Sequence, residues 1–296
     1  MYKPFIPSRL KLFFEKHKQA IELIFETLKN YKPNIVNAYQ YSDQNPPPNP
    51  RYKYTDKLYL GCIFYVLLYG STWESFIGPI PGKQLNKLHH EYIKYGLYKT
   101  FFENSLKKYL KTHDVKYLSI DSSILNNKNC IELGKNLPIN KNRKGVKLDV
   151  IVDDNGSPLV SSIVESTTHD SNIGLEDINK LVNHPIIKKS LESTNGHPYL
   201  LADSGYDSNK IKDKLAKAKI KHIIRPNNRG RKYKRKRKIL KRHKNQFRKR
   251  IKVENFFGII KRYPKVNCIY EKTIRSFENL LLFLFGSILV NRTQKI

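Results

Sequence analysis

The sequence predicts an α/β protein in which a mixed β-sheet flanked by helices follows an all-α N-terminal module. Up to about residue 110, apolar side chains recur at the spacing of helices. From Asp114 onward, runs rich in β-branched residues have the length of strands and alternate with helical patterns. Strands followed by helix, strand, helix and strand describe a mixed sheet with helices packed on it.

The composition is that of a folded and strongly basic chain. Its 296 residues, 39% of them hydrophobic, suffice for one large domain or two modest ones. Because 56 Lys and Arg face only 25 Asp and Glu, the formal net charge is +31. Such a surface repels itself unless it meets a polyanion, of which nucleic acid is the commonest. A membrane surface is the alternative, but the longest apolar run, Leu280–Val290, is too short to span a bilayer and is typical of a buried helix.

The cysteines and the first residues bear on the compartment. Cys62, Cys130 and Cys268 are odd in number and lack the CxxC spacing of a zinc ribbon, which favours a reducing compartment. The start, Met1–Pro4, shows neither a signal peptide nor an acylation motif. We therefore expect a protein that is not secreted and binds no membrane. It would reside in the cytoplasm or nucleoid of a prokaryote, or in the nucleus of a eukaryote.

The predicted N-terminal module covers residues 1–112 and is helical. A helix-turn-helix arrangement would fit inside it, so we expect this module to bind DNA. A proline-rich linker is predicted at Tyr41–Pro50, since this stretch can form neither a helix nor a strand ladder. The predicted helices are Ser8–Tyr31, Asp56–Tyr69 and Lys83–Leu110.

The second predicted domain covers residues 113–296 and holds the sheet. Asp153–Gly156 has the composition of a hairpin turn between two of its strands. The predicted strands are Val115–Asp121, Gly145–Asp153, Leu159–Glu165, Tyr199–Asp203 and His222–Arg225. The predicted helices are Gly174–Val182 and Ser208–Ala218, with a further helical region from about Phe247.

Two of the predicted strands end in an aspartate followed by small residues. Asp121 precedes Ser122-Ser123, and Asp203 precedes Ser204-Gly205. An apolar strand that stops at a carboxylate delivers it to the carboxyl edge of the sheet, where open α/β sheets place their sites. The alternative for Asp203 is that it caps the helix predicted from Ser208. Two such strand ends in one basic chain favour a functional role.

A third carboxylate, Glu254, lies in a helical pattern crowded with basic residues. On one continuous helix, Arg250, Glu254 and Lys261 share a face, and Phe247 lies on that face too. The alternative is a solvated basic face with an i,i+4 ion pair of little energetic value. The side that would dock on the sheet is the apolar stripe Val253, Phe257 and Ile260.

Asp121, Asp203 and Glu254 together would form a hard, oxygen-rich site suited to Mg²⁺ or Mn²⁺. Close carboxylates repel one another unless a cation neutralises them. A pair of metal ions would activate a water or a 3′-hydroxyl and stabilise the leaving oxygen at phosphorus. Arg250 and Lys261 would then bind phosphates beside the scissile bond.

These residues resemble the DDE transposases of bacterial insertion sequences in the IS4/IS5 group and, more distantly, the Harbinger-type relatives. The resemblance covers nearly the whole chain, and its motifs are individually weak but occur in order. It rests on the N-terminal TDKLYLGCIFYVLLYGSTWESF, on Ile120–Ser123, Lys144–Asp149, Thr168–Ser171 and Leu201–Asp207, and on the Tyr-x2-Arg-x3-Glu-x6-Lys signature matched by Arg250, Glu254 and Lys261.

The resemblance implies an RNase H-like catalytic core with Asp121, Asp203 and Glu254 as the metal-binding triad. One departure is plain: Phe247 stands where the signature has tyrosine. A lost hydroxyl spares the metal ligands, so we expect weaker DNA handling and an intact triad.

Several further residues are candidates for supporting roles. The basic segment at about 226–252 contains no acidic residue, and we expect Arg231, Lys232, Arg235 and Arg237 to contact the DNA backbone. The alternative is a solvated face or a localisation signal. His169 and Asp170 would relay protons or support the metal ligands, and a structural hydrogen-bonding role fits them equally well.

The function that these observations predict is that of a Mg²⁺-dependent DNA transposase. It would cut double-stranded DNA at the ends of a mobile element and join them to target DNA, as a homodimer or higher oligomer. One alternative is a domesticated DNA-binding protein that has lost catalysis. The other is an RNase H-fold nuclease without strand transfer.

Overall fold

The chain folds into two compact units in this computed structural model. The structure describes residues 6–30, 55–130, 132, 136–137, 140–193, 197–227, 239 and 243–293. The first unit comprises residues 1–105, 263–265 and 275–295, and the second comprises 106–262, 266–274 and 296. The domain boundary predicted at residue 112 stays a prediction; compactness groups the C-terminal helix with the first unit. The predicted linker Tyr41–Pro50 lies outside the described residues.

The bounds of a helix in the first unit are set by the residues that cap it. The helix Asp56–Tyr69 starts after Thr55, whose hydroxyl accepts a hydrogen bond from the Leu58 amide, and stops at Gly70 with φ 77°. It matches the predicted bounds. The helices are α1 (Ser8–Asn30), α2 (Asp56–Tyr69), α3 (Gly82–Lys94), α4 (Leu97–Leu110), which runs into the second unit, and α11 (Ile274–Thr293).

The single helix predicted over Lys83–Leu110 is wrong, because α3 and α4 are separate. The helix is interrupted at Gly96, which has φ 73°. Glycine adopts this left-handed conformation without the steric cost that a side chain would bring, so it stops one helix and lets the next begin. Helical spacing of apolar residues on both sides hid the break in the sequence.

Aromatic side chains fill the core of the first unit. The ring of Phe283 on α11 lies 3.9 Å from that of Phe64 and 5.6 Å from that of Tyr98, centroid to centroid. By length and composition α11 would also suffice to cross a membrane. Its residues Phe277, Leu281, Phe283 and Leu284 are at most 1% exposed, so the buried helix predicted at Leu280–Val290 is confirmed.

The second unit is built on one mixed sheet. Its central strand β1 pairs antiparallel with β3 and parallel with β5; β3 pairs antiparallel with β4, and β5 pairs parallel with β6. This order confirms the predicted RNase H-like mixed sheet flanked by helices. The strands are β1 (Tyr117–Asn127), β2 (Asn136–Leu137), β3 (Asn140–Asp153), β4 (Pro158–Glu165), β5 (Tyr199–Ala202), β6 (Lys221–Ile224) and β7 (Cys268–Ile269).

The second unit contains six helices among the residues that the structure describes, one of which, between residues 185 and 193, the sequence patterns did not predict. They are α5 (Asp170–Asn183), α6 (Pro185–Ser193), α7 (Asn209–Lys217), α8 (Lys244–Arg248), α9 (Ile251–Ile260) and α10 (Pro264–Asn267), the last of which begins in the first unit. Helix α5 packs on β4 and β3, while α9 packs on β1 and β3.

The predicted hairpin at Asp153–Gly156 is confirmed. Gly156 has φ 75°, and the carboxylate of Asp153 accepts hydrogen bonds from the amides of Asn155 at 2.9 Å and Ser157 at 2.8 Å. Tyr109 donates its hydroxyl proton to the same buried carboxylate at 2.6 Å. The turn therefore fixes the register of β3 and β4.

Gly82 offers a test of the packing of the first unit. A Cβ at this position would lie 1.6 Å from the carbonyl oxygen of Trp73. Because a backbone atom cannot swing aside, Gly82→Ala should lower the free energy of unfolding by about 3 kcal/mol, the upper end for overpacking. Denaturant titration followed by the fluorescence of Trp73, the only tryptophan, measures this.

Gly96→Ala is the matched control. It has no atom within 4 Å of the added Cβ but has φ +73°, so only the conformational cost of about 1 kcal/mol applies. An equal loss of stability in both variants would contradict the close approach of Gly82 to Trp73.

Candidate active site

The register of the parallel strands brings Asp121 and Asp203 to the same level. Strands β1 and β5 stay paired as far as Ser119 and Leu201, and Asp121 and Asp203 each lie two residues further along the chain. The expectation that β1 ends at Asp121 is wrong, because β1 continues to Asn127 beside β3. Only the parallel partner ends here. Asp121 therefore lies at the carboxyl edge of β5 while its own strand runs on.

Glu254 reaches this edge from a helix. The predicted apolar stripe is confirmed: Val253, Phe257 and Ile260 are at most 6% exposed on a helix that packs against β1 and β3. The continuous helix predicted through Phe247 is wrong. Helices α8 and α9 are joined through Arg250, whose amide hydrogen-bonds the Phe247 carbonyl in a tight i to i+3 turn.

Arg250 links two of the predicted ligands. Its Nη1 donates a hydrogen bond to Oδ2 of Asp121 at 2.9 Å across 129 residues of sequence, and its Nη2 donates one to Oε1 of Glu254. The Arg250 side chain is 15% exposed. Burial raises the pKa of Asp121, and the charge and hydrogen bond of Arg250 oppose that rise. One cation thus stabilises two carboxylates from distant parts of the chain.

Asp203 both ends a strand and caps a turn. Its carboxylate accepts a hydrogen bond from the Ser204 amide at 2.7 Å, which starts the 3₁₀ turn Ser204–Tyr206. Arg225 lies 3.7 Å from the same carboxylate, whose side chain is 41% exposed. The alternative that Asp203 caps the helix predicted from Ser208 is wrong, because Ser208 itself holds the cap position of that helix and Asp203 caps the short 3₁₀ turn before it. Capping uses one carboxylate oxygen of a partly exposed side chain, so capping and metal binding are compatible.

The three predicted ligands do not close into a tight group. Among the residues that the structure describes, the one set of three or more His, Cys, Asp or Glu with ligand atoms within 4.8 Å is His113, Asp153 and Asp154. The charges of the predicted triad repel one another, and Arg250 lies between two of its members. Metal binding by all three would require this guanidinium to move away.

The set at His113 serves the hairpin. His113 lies 3.4 Å from Asp153 and 3.2 Å from Asp154. Both oxygens of Asp153 are already hydrogen-bonded, one to amides of the turn and the other to Tyr109. A hydrogen bond to Asp154 raises the pKa of His113. We assign these residues to fixing the turn, as the sequence pattern indicated for the two aspartates.

Asp170 belongs to the site, whereas His169 serves a helix. Asp170 accepts hydrogen bonds from Ser122 Oγ at 3.1 Å and Lys147 Nζ at 2.9 Å. A Cβ added to Gly205 would lie 2.6 Å from its Oδ2. Asp170 therefore contacts the neighbours of both predicted catalytic aspartates. His169 caps α5 by accepting a hydrogen bond from the Ser171 amide at 3.2 Å, which realises the structural alternative.

A buried carboxyl pair lies beneath this edge, between β3 and α5. Asp149 and Asp177 are both 0% exposed and lie close enough for their charges to interact. Burial raises the pKa of Asp177 to about 7, and burial with the charge of Asp177 raises that of Asp149 well above its usual range. Burial and mutual repulsion therefore favour the protonated form of both side chains. Its one sequence signal is an aspartate amid the apolar residues of a strand.

Of the residues predicted to contact DNA, the structure describes Arg250 and Lys261. Arg250 is engaged with carboxylates, and Lys261 ends α9, half-buried and without an ion pair among the described residues. Arg231, Lys232, Arg235 and Arg237 lie outside the described residues. Phe247 is half-buried on α8.

The buried pair predicts an unusual pH dependence of stability. The folded-state pKa of Asp177, about 7, lies above its ordinary value of 3.8, so folding favours the protonated form. Its contribution is complete below pH 3.8 and is lost as pH rises through about 7. Relative to Asp177→Asn, the wild-type protein should therefore lose stability across this window, as thermal unfolding would measure. The exposed Asp213→Asn is the control and should run parallel to wild type.

Comparison with known proteins places the chain in a family. The family described as "Transposase DDE domain" matches residues 105–289. Structural similarity extends to the piggyBac transposase synaptic complex with hairpin DNA, at 11% identity over 95% of this chain and 72% of that chain, with a TM-score of 0.49. It also extends to the Mos1 mariner paired end complex with Mn, at 10% identity, 91% and 84% coverage and a TM-score of 0.32. No curated protein matches the sequence.

Membership of a family follows from the sequence match over residues 105–289, because the structural similarities are remote. The strand order and the acidic edge define an RNase H-like core. With more than half of its length matched, the chain belongs to the DDE transposase family. It is a DNA transposase, an enzyme that acts on DNA. Its place in the IS4/IS5 group stays a prediction.

Proposed function

We propose that Asp121, Asp203 and Glu254 bind divalent metal ions and carry out DNA cleavage and strand transfer at the ends of a mobile element. The observation that carries this proposal is the guanidinium of Arg250 held between Asp121 and Glu254. It shows that folding brings carboxylates from the sheet and from α9 around one positive charge. Asp203 follows the last residue of the neighbouring strand β5, whose register with β1 places it level with Asp121.

The donor set fits a hard cation. All three side chains offer carboxylate oxygens, the ligands that Mg²⁺ and Mn²⁺ prefer, and a pair of ions would suit phosphodiester chemistry. When bound, the ions supply an activated water or 3′-hydroxyl and stabilise the leaving oxygen. Asp121 and Glu254 both pair with the positively charged guanidinium of Arg250. The two carboxylates are therefore placed to neutralise one positive charge, as the ligands of a metal ion must be.

Arg250 changes partners in this proposal. While it pairs with Asp121 and Glu254, it neutralises them and blocks the space between them. With Asp121 and Glu254 holding metal ions, the guanidinium would be available to a DNA phosphate, which it matches in a bidentate geometry. Lys261, at the end of the same helix, would hold a neighbouring phosphate.

The partner is double-stranded DNA, both the ends of the element and the target. The net charge of +31 supports this, as does the basic segment at about 226–252 with Arg231, Lys232, Arg235 and Arg237. Bringing two ends together calls for a homodimer or higher oligomer. We propose residence in the cytoplasm or nucleoid, or in the nucleus of a eukaryotic host.

Removing a single ligand tests the proposal. Asp121→Asn and Glu254→Gln should each lower Mg²⁺-dependent cleavage by about a thousandfold, because metal ions contribute several kcal/mol to such transition states. The substrate is a plasmid carrying the element with its native flanks, and gel analysis separates nicked, excised and joined products. DNA binding, measured by fluorescence anisotropy, should stay within about twofold of wild type.

Asp213→Asn, an exposed aspartate on α7, is the matched control and should cleave like wild type. Unchanged cleavage by Asp121→Asn would refute the assignment. If the wild-type protein cuts without joining ends, the nuclease alternative is correct. If it binds DNA and shows no cleavage with Mg²⁺ or Mn²⁺, the protein is a DNA binder that has lost catalysis.

A further inference from the structure

The turn that follows Asp203 is anchored at its far end by a buried tyrosine. Tyr206, three residues after Asp203, closes the 3₁₀ turn and is 2% exposed. Its ring packs on α5 at Gly174, where an added Cβ would lie 2.5 Å from the ring. Glycine at this position is therefore what lets the ring lie flat on the helix.

The hydroxyl of Tyr206 reaches across the central strand. It donates a hydrogen bond to Oδ1 of Asp149 at 2.6 Å. Asp149 lies on β3, two strands away from β5, and pairs in register with Ser122, the neighbour of Asp121. One hydrogen bond thus links the turn that carries Asp203 to the strand beside Asp121.

The acceptor lies in a dry environment. Asp149 is buried near Asp177 of α5, and Asp177 accepts the hydroxyl proton of Ser162 on β4. All three of these side chains are at most 4% exposed. In surroundings this dry, a hydrogen bond left without one partner costs about 1–3 kcal/mol, so the Tyr206 hydroxyl has one strongly preferred position.

We propose that the Tyr206–Asp149 hydrogen bond positions Asp203, so that Tyr206 and Asp149 determine how tightly the site binds metal although neither contacts it. This inference rests on the proposed function of Asp203 as a ligand. Supporting residues of this kind restrict the ligand to the geometry that the ion requires, and their loss commonly weakens metal binding by 10–100-fold. Tyr206 and Asp149 are positioning residues, separate from the three ligands.

Tyr206→Phe removes the hydroxyl and keeps the ring on Gly174. Titrating the full-length protein with Mn²⁺ alone, and following the free ion by electron paramagnetic resonance, should show a dissociation constant raised about tenfold. The half-saturating Mn²⁺ concentration for plasmid cleavage should rise by a similar factor, while cleavage at saturating Mn²⁺ stays near wild type. A merely structural role would lower both binding and maximal activity through the folded fraction.

Tyr199→Phe is the matched control. Tyr199 starts the same strand β5 and is half-buried. The Tyr199→Phe protein, which lacks this hydroxyl, should bind Mn²⁺ with the affinity of the wild-type protein. A conservative pair tests the acceptor. In Asp149→Asn the amide oxygen can still accept from Tyr206, so affinity should be retained; in Asp149→Ala it should fall as in Tyr206→Phe.

The outcomes separate this inference from the function on which it rests. Asp203→Asn should abolish the tight Mn²⁺ binding; if it binds like wild type, the ligand assignment fails. If Asp203→Asn loses binding while Tyr206→Phe and Asp149→Ala bind like wild type, the positioning role alone is overturned. Thermal unfolding accompanies each titration, and a Tyr206→Phe protein that is folded with a wild-type affinity counts against the proposal.

Discussion

Charge repulsion among acidic side chains is the constraint on which the acidic edge of the sheet depends. Asp121 and Glu254 could not lie near each other in a half-buried site without a positive charge, and Arg250 supplies it from the turn before α9. The same guanidinium therefore holds α9 on the sheet and keeps the carboxylates ready for a cation. Stability and readiness for chemistry are linked through one side chain.

A second polar layer supports the turn after Asp203 from the opposite face of β1. Alternate residues of a strand point to opposite faces, so Ser122 and Ile120 face α5 while Asp121 faces α9. On the α5 side, Asp149 and Asp177 are both buried where a helix usually packs through apolar contacts, and burial raises the pKa of each carboxyl. The cost of burying them is offset by hydrogen bonds that fix the position of the turn.

Much of this arrangement could be predicted from the sequence, and the features that could not be predicted share a physical reason: no local pattern encodes them. The β-branched runs and the apolar stripe of α9 gave the sheet and its docked helix, because burial on one face imposes a period. The break at Gly96 escaped because helical spacing persists across it. The full length of β1 escaped because polar residues such as Ser123 lie beside an antiparallel partner. The partnership of Asp149 with Tyr206 joins residues 57 apart, which no local pattern reveals.

The parallel pairing of β1 and β5 frees the intervening chain from setting the distance between Asp121 and Asp203. Strand register alone aligns Asp121 with Asp203, so the hairpin, α5 and α6 between them can lengthen or shorten at their outer loops without altering the site. Evolution can thus graft new loops, or whole inserted domains, into this interval of the chain. Relatives of very different length can retain the same chemistry.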